Sequence, residues 1–213
     1  MTRSDVLDRL GRGFARVTTD VVVRYPRLWG LFKRPLRAQF DHLATGWEEI
    51  IARPEHMAPY ETALESVDPP HRALDLGTGT GAGAFAIARR FPDAEVVGVD
   101  LAERMLDEAR RITPADLAGR VRFEQADAFH LPYRDGSFDL VALSNMIPFF
   151  DELARVVAPD GTVLIAFTSG SGTPIYVPAD RIREELSRRG FSQFADFAAG
   201  NGTSMTARKR GEA

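Results

Sequence analysis

The chain has 213 residues and no cysteine, which excludes disulfides and cysteine-ligated zinc. Its histidines number four (His42, His56, His71 and His130), and none stands at metal-ligand spacing from another. No apolar run is long enough to span a bilayer. The start, Met-Thr-Arg-Ser-Asp, has no apolar core behind it of the kind a secretory leader needs. A cytoplasmic protein with no stable membrane insertion is therefore the expectation. Charge of one sign is also lacking. The net charge of −3 supplies no global pull toward nucleic acid or anionic membrane. Apolar and charged fractions are ordinary for a globular protein, and the length suits one α/β domain with an appendage.

Against this plain background one stretch stands out, from Arg72 to Arg111. A short apolar run (Ala73, Leu74, Leu76) ends in four alternating glycines, Gly77, Gly79, Gly81 and Gly83. A helix-like segment runs from Ala82 to Phe91, and a second apolar run (Val96, Val97, Val99) ends in Asp100. Strand, glycine turn, helix, strand and terminal acid make half of a nucleotide-binding βαβ unit. Glycines allow positive φ and close approach of a ligand to the backbone. The helix start offers free N–H groups and a partial positive charge. A carboxylate at Asp100 can accept both hydroxyls of a ribose.

The glycines alone do not choose the nucleotide, since Gly77-Thr-Gly79-Thr-Gly81-Ala82 also fits the dinucleotide pattern. Three features argue against NAD. Asp75 precedes the turn where a pyrophosphate would repel it. Leu101, Met105, Leu106 and Ala109 give an apolar helix face beginning at the ribose position. A third acid, Asp127, follows another short strand. Together these residues resemble the class I S-adenosylmethionine-dependent methyltransferases. The family's Asp-x-Gly-x-Gly-x-Gly motif is matched by Asp75 to Gly81, its ribose acid by Asp100, and its acid after the third strand by Asp127. The resemblance covers Arg72 to Phe167 in motif. It implies a seven-stranded, mostly parallel, doubly wound α/β sheet, S-adenosylmethionine as cofactor, and a small-molecule acceptor. It also implies a cofactor pocket of Asp75, Gly77, Thr78, Gly79, Gly81, Asp100, Leu101, Met105, Asp127, Ala128, Ser144 and Asn145. Within it Asp75 and the turn amides hold the methionine end, Asp100 the ribose, Leu101 and Met105 the adenosine, and Asp127 the adenine amino group.

The N-terminal part reads as helical. Leu7, Leu10, Phe14, Val17 and Val21 recur at helical steps behind a candidate N-cap, Ser4. Pro26 interrupts the pattern, and a second helix is expected to about Ala44. Residues 24 to 37 carry Arg24, Arg27, Lys33, Arg34 and Arg37 without an acid, interleaved with Tyr25, Leu28, Trp29, Leu31 and Phe32. This is either a patch for anionic lipid, acidic substrate or RNA, or an ordinary helix with its aromatic face on the core. Nearby acids (Asp20, Asp41, Glu48, Glu49) favour the ordinary helix. The segment around Asp41 to Trp47 is similar to the entry segment that folds over the cofactor in many small-molecule methyltransferases; the other reading is a helix end at Gly46 with a core tryptophan. Pro69-Pro70 marks the expected boundary between a helical lid (1–70) and the cofactor-binding domain (71–213).

Beyond Asp100 the pattern gives a helix over 102–112 and strands over 121–125, 138–145 and 162–168, with a turn at Ala158–Gly161. A helix from Pro178 and a closing antiparallel hairpin across Gly200-Asn201-Gly202 follow. Asn145-Met-Ile-Pro148-Phe149 does not match the Asn/Asp-Pro-Pro-aromatic motif of amide and nucleic-acid methyltransferases, so that chemistry is not expected. Phe149 and Phe150 are candidates for lining an acceptor pocket, and residues 169–174 for a substrate loop. A hydroxyl or ammonium acceptor needs a base, for which His42 is a weak candidate beside Tyr25 and Tyr60. The alternatives are a nicotinamide-dependent oxidoreductase, which lacks a Tyr-x-x-x-Lys pair here, and a cofactor-binding protein without activity.

Overall fold

The computed structural model describes residues 3–47 and 54–211, with backbone alone for 3–10 and 54. The side chains of Ser4, Leu7 and Leu10, and residues Glu48 and Glu49, lie outside those described. Two helices lead, α1 (Arg3–Arg24) and α2 (Trp29–Leu43), joined through a 3₁₀ turn at Pro26–Leu28. A third, α3 (Pro54–Leu64), precedes β1 (Arg72–Leu76), α4 (Ala82–Arg90), β2 (Glu95–Asp100), α5 (Glu103–Ile112) and β3 (Val121–Gln125). Then follow β4 (Phe138–Ser144), α6 (Phe150–Val156), β5 (Val157–Phe167), α7 (Ala179–Ser187), β6 (Phe191–Ala199) and β7 (Gly202–Lys209).

The strands form one sheet in the order β3-β2-β1-β4-β5-β7-β6. Only β7 runs against its neighbours, as the sequence leads one to expect. The order reverses direction between β1 and β4, the point where ligands collect in such sheets. The period-two alternation of strands splits the core in two. Leu74, Leu76, Val97, Val99, Val141 and Leu143 face α1, α2, α6 and α7. Ala73, Val96, Leu140, Ala142 and Leu164 face α3, α4 and α5. Asp75 alternates with Leu74 and Leu76, so it falls on the α3–α4 side. That one-residue offset determines its surroundings.

Three elements differ from the sequence expectation. The helix α3 forms over a stretch that Pro54 and Pro59 punctuate and for which the sequence gives no separate helix. Pro54 is the first helical residue, where an N–H is unneeded, and Pro59, in the middle of the helix, forfeits one backbone bond. Burial of Tyr60, Ala63 and Leu64 against the sheet outweighs that loss. The turn expected at Ala158–Gly161 occurs inside β5 as an irregularity: Phe138 pairs with Val157 but Leu140 with Thr162, and Asp160 takes φ 60°. In α2 Trp29, Phe32 and Phe40 face the core as expected, but Leu31, and Tyr25 and Leu28 just before the helix, are exposed.

The loop after β3 is held by one charged cluster. Glu152 of α6 accepts from the Leu131 amide at 2.5 Å and from Arg155 at 2.6 and 2.9 Å. Arg155 also donates to the carbonyls of Leu131 and Tyr133 and to Asp135. Burial pushes the Glu152 carboxyl up, but these bonds bring it below its ordinary range. Removing the guanidinium leaves a nearly buried carboxylate and two carbonyls without their donor. Arg155→Met should cost about 3 kcal/mol in urea unfolding; a loss under about 0.5 kcal/mol would mean that the cluster is only a solvated ion pair.

Candidate active site

The carboxyl ends of β1, β2 and β4 open into a cavity of about 900 Å³. Its floor is the glycine turn and the starts of α4 and α5. Its roof comes from α1 and α2, including Arg12, Ala15, Trp29, Leu36, Phe40 and His42. Residues Met57 and His56 of α3 and the loop 168–175 close the far side.

The turn is built around Asp75, which is 2% exposed. Its carboxylate accepts from the Thr78 hydroxyl at 2.6 Å and the Tyr60 hydroxyl at 3.0 Å, and from the Ala84 amide. Thr78 therefore closes the turn onto the strand that precedes it, while Tyr60 ties α3 to the same atom pair. Gly83 exists for this carboxylate: a Cβ there would stand 2.5 Å from Asp75 Oδ1. Gly81 has φ 94°, and a Cβ would meet Phe123 and Phe85. It caps α4 without a side-chain bond, leaving the first amides of that helix, at Ala82 and Gly83, on the cavity wall. The amides of Gly77 and Thr78 are already spent on the Val99 carbonyl at 2.9 Å. The turn amides expected to hold a ligand are thus reduced to those at the helix start.

Asp100 is gripped from both sides. Its Oδ2 accepts the Gly79 amide at 2.9 Å and its Oδ1 the Ala102 amide at 2.8 Å. Each oxygen keeps a further lone pair. Burial pushes both carboxyls up, Asp75 to about 6 against the pull of its hydrogen bonds, with the Asp100 charge adding to it. No Lys or Arg pairs with either acid among the described residues. A buried and a half-buried carboxylate share one end of the cavity, and no Lys or Arg among the described residues neutralises them.

The expected site residues are largely brought together. Asp75, Gly77, Thr78, Gly79, Asp100, Leu101, Met105, Ala128, Ser144 and Asn145 line the cavity, and so does His42, whose side chain is otherwise exposed. Gly81 and Asp127 do not line it. Gly81 supports the turn from behind. The Asp127 carboxylate is occupied by α2: Oδ1 accepts the Trp29 indole N–H at 2.7 Å and Oδ2 the Lys33 ammonium at 3.3 Å, while the Phe129 amide also donates to Oδ1. Asn145 takes φ 50° and spends its side chain on Thr168, donating from Nδ2 and accepting the Thr168 amide at Oδ1, 3.0 Å each. It joins the ends of β4 and β5. Phe149 lines the cavity and Phe150 does not. Neither alternative base has a free route: Tyr60 is fully buried on Asp75, and Tyr25 lies outside the cavity.

Sequence reasoning missed His56 and Met57 at the cavity wall and the part played by α1, while Met146, expected beside Ser144 and Asn145 at the end of the fourth strand, lines the cavity with them. Arg12 and Arg16 of α1 donate to the carbonyls of Gly172, Ser171 and Thr173 at 3.0–3.1 Å, linking the roof to the loop 169–174. Such pairs across 155 residues or more leave no local signal. Among the described residues no cluster of three histidines or acids could hold a metal ion.

Burial and the Asp75 charge push the Tyr60 phenol well above its ordinary range, so it stays a donor. Its bond favours ionised Asp75. Without it the Asp75 carboxyl rises further, and the loss of stability is complete only above that raised value. Tyr60→Phe should cost about 2 kcal/mol at pH 8, where the bond is charge-assisted, and about 1 kcal/mol or less at pH 5, where Asp75 is protonated. Equal losses at both pH values, read from urea midpoints, would mean that Asp75 is not the acceptor that matters.

The comparisons with known proteins agree with this geometry. Residues 73–161 match the family model described as a methyltransferase domain. The chain is 37% identical over 145 residues to a malonyl-[acyl-carrier protein] O-methyltransferase of Halorhodospira halophila, covering 63% of this chain and 48% of that one. It is 44% identical over 113 residues to a demethylmenaquinone methyltransferase of Thermus thermophilus, covering 49% of this chain and 50% of the other. The chain thus spans about half the length of these curated relatives. The fold superposes on a SAM-dependent methyltransferase of Aquifex aeolicus with a TM-score of 0.65 at 17% identity, over 76% of this chain and 97% of that one. With the domain match centred on the glycine turn and the seven-stranded sheet built around it, the chain is similar in sequence and in fold to the class I S-adenosylmethionine-dependent methyltransferases.

Proposed function

We propose that the chain binds S-adenosylmethionine at the carboxylate end of the cavity and methylates a small molecule held at its apolar end. The observation that carries this reading is the pair of acids beside the glycine turn, Asp75 buried and Asp100 half-buried, which no Lys or Arg among the described residues neutralises. A ligand with ammonium and sulfonium charges relieves that strain, whereas a pyrophosphate would add to it. The cavity residues fit such a cofactor. Asp100 offers its remaining lone pairs to ribose hydroxyls. Leu101 and Met105 form an apolar wall, and Ala126 and Ala128 are small enough to admit a flat base. The helix-start amides at Ala82 and Gly83 suit a carboxylate. Asp75 sets the turn and supplies negative charge. Asp127 serves chiefly to hold α2, the lid, over the cavity, and Ser144 and Asn145 face the reacting end.

When bound, S-adenosylmethionine supplies an electrophilic methyl group that needs an aligned nucleophile and little else. The protein's tasks are then alignment and exclusion of water. Trp29, Leu36, Phe40, Met57, Phe149 and Ile175 supply the apolar walls for an acceptor, with Arg12 and His56 as polar groups among them. For a hydroxyl acceptor, an imidazole of His56 or His42 is the group available to take the proton. The segment 1–70 acts as lid through α1 and α2, and we place the protein in the cytoplasm, with no nucleic acid as partner.

Titration with S-adenosylhomocysteine, and separately with NAD, tests the cofactor. Micromolar binding of the first and none of the second is the expected result, and NAD binding alone would overturn the reading. Asp100→Ala should weaken S-adenosylhomocysteine more than about tenfold, the scale of two lost charge-assisted bonds, with thermal unfolding retained. Unchanged affinity in the folded variant would remove the ribose role.

A further inference from the structure

We propose that the exposed face of the α1–α2 corner docks on an anionic lipid surface. Large exposed apolar side chains are concentrated there. Among the described residues they are Val17, Tyr25, Leu28, Leu31 and Phe129. Four fall between positions 17 and 31. The fifth, Phe129, packs on Phe149 at 5.6 Å, which packs on Trp29 at 5.2 Å. Single exposed leucines are ordinary, but a group on one corner marks a contact surface. Leu31 is 71% exposed, although it occupies an apolar position of a helix.

The helix α2 has two apolar faces at helical spacing. Trp29, Phe32, Leu36 and Phe40 turn inward, and Trp29, Leu36 and Phe40 line the cavity. Leu28, Leu31 and Pro35 turn outward with Arg34. The sequence from Val21 to Phe40 holds five cations and no acid, in a chain whose net charge is −3. Lys33 is committed to Asp127 and Arg37 to Asp41. Arg24 bonds the Tyr25 hydroxyl. Arg27 and Arg34 are exposed and have no side-chain partner among the described residues. The exposed acid at the edge of this field is Asp20; Asp41 is engaged by Arg37 and the Arg104 amide.

Unpaired arginines flanking outward leucines and a tyrosine match the chemistry of an interfacial segment. Leucines enter the acyl boundary, the tyrosine ring sits at headgroup depth, and arginine stems run along apolar surface with their charges on lipid phosphates. Charge complementarity selects an anionic bilayer. An acidic protein would satisfy Arg27 and Arg34 equally, but it gives no account of Leu31 standing clear of the surface. Among the described residues no helix is long and apolar enough to cross a membrane, so the contact is interfacial. Because the inner face of α2 lines the cavity, docking sets the roof of the active site against lipid.

Co-sedimentation with vesicles of phosphatidylcholine, alone and mixed with phosphatidylglycerol, tests this. The protein should sediment with the mixed vesicles and not with phosphatidylcholine alone, and added salt should weaken the binding. Leu28→Ser with Leu31→Ser should reduce partitioning at least about tenfold, and Arg27→Gln with Arg34→Gln by about tenfold or more. Both double variants should keep the thermal midpoint and the S-adenosylhomocysteine affinity, since these four side chains touch neither core nor cavity. Failure of the parent protein to sediment with the mixed vesicles would overturn the proposal. So would undiminished binding by the leucine variant, which would leave a charge-only surface of the kind an acidic protein occupies.

Discussion

The buried carboxylate of Asp75 is the group around which the site is assembled. It sits at the end of a central strand, on the face covered by α3 and α4, with no Lys or Arg paired to it among the described residues. Raising a carboxyl from 3.8 to about 6 corresponds to about 3 kcal/mol of stability present below pH 4 and lost as pH rises through 6. Three elements converge to limit that cost. Tyr60 brings a hydroxyl from α3, Thr78 brings one from the turn, and Gly83 leaves room at the start of α4. Asp100, two strand ends away in sequence but next to β1 in the sheet, adds a second charge that two backbone amides hold in place. A site that stores negative charge in this way is prepared for a cation, as expected of a fold that binds a sulfonium cofactor.

The half of the molecule that forms the cofactor end was legible because its signals are local. Alternating apolar residues define the strands, and the glycines are compelled by backbone geometry and by the Asp75 contact within eight residues. The other half depends on contacts across the chain. Asp127 reads as a ligand acid by motif, yet Trp29, 98 residues earlier, takes one of its oxygens. Asn145 reads as a reacting-end amide, yet it splices two strand ends. Asn145 still lines the cavity, whereas Asp127 does not, and in both cases the long-range partner left no local signal. The helix at Pro54–Leu64 shows a different limit: an interior proline costs about 3 kcal/mol, and the burial of Tyr60, Ala63 and Leu64, which no local pattern reveals, offsets it.

Two zones of the cavity follow from these two halves. The carboxylate end belongs to the sheet and the turn, which form one tightly bonded unit. The apolar end is made by α1, α2 and the loop 168–175, joined to each other by Arg12 and Arg16 and to the rest of the chain by Trp29 and Lys33 on Asp127. Acceptor choice on a shared fold resides in such added elements. The corner that presents leucines outward, with Arg27 and Arg34 unpaired among the described residues, belongs to these same helices, so the proposed acceptor end and the proposed docking surface are built from one piece of chain.

The central claim is that buried negative charge at the turn draws a cationic cofactor. Calorimetric titration with S-adenosylmethionine near pH 6, in buffers of differing ionisation enthalpy, tests it most directly. A cation beside Asp75 favours its ionised form and lowers its raised pKa, so binding should release protons near pH 6 and tighten as pH rises through that value. Binding without proton release, at an affinity flat across this range, would contradict the account and leave Asp75 as a structural acid only.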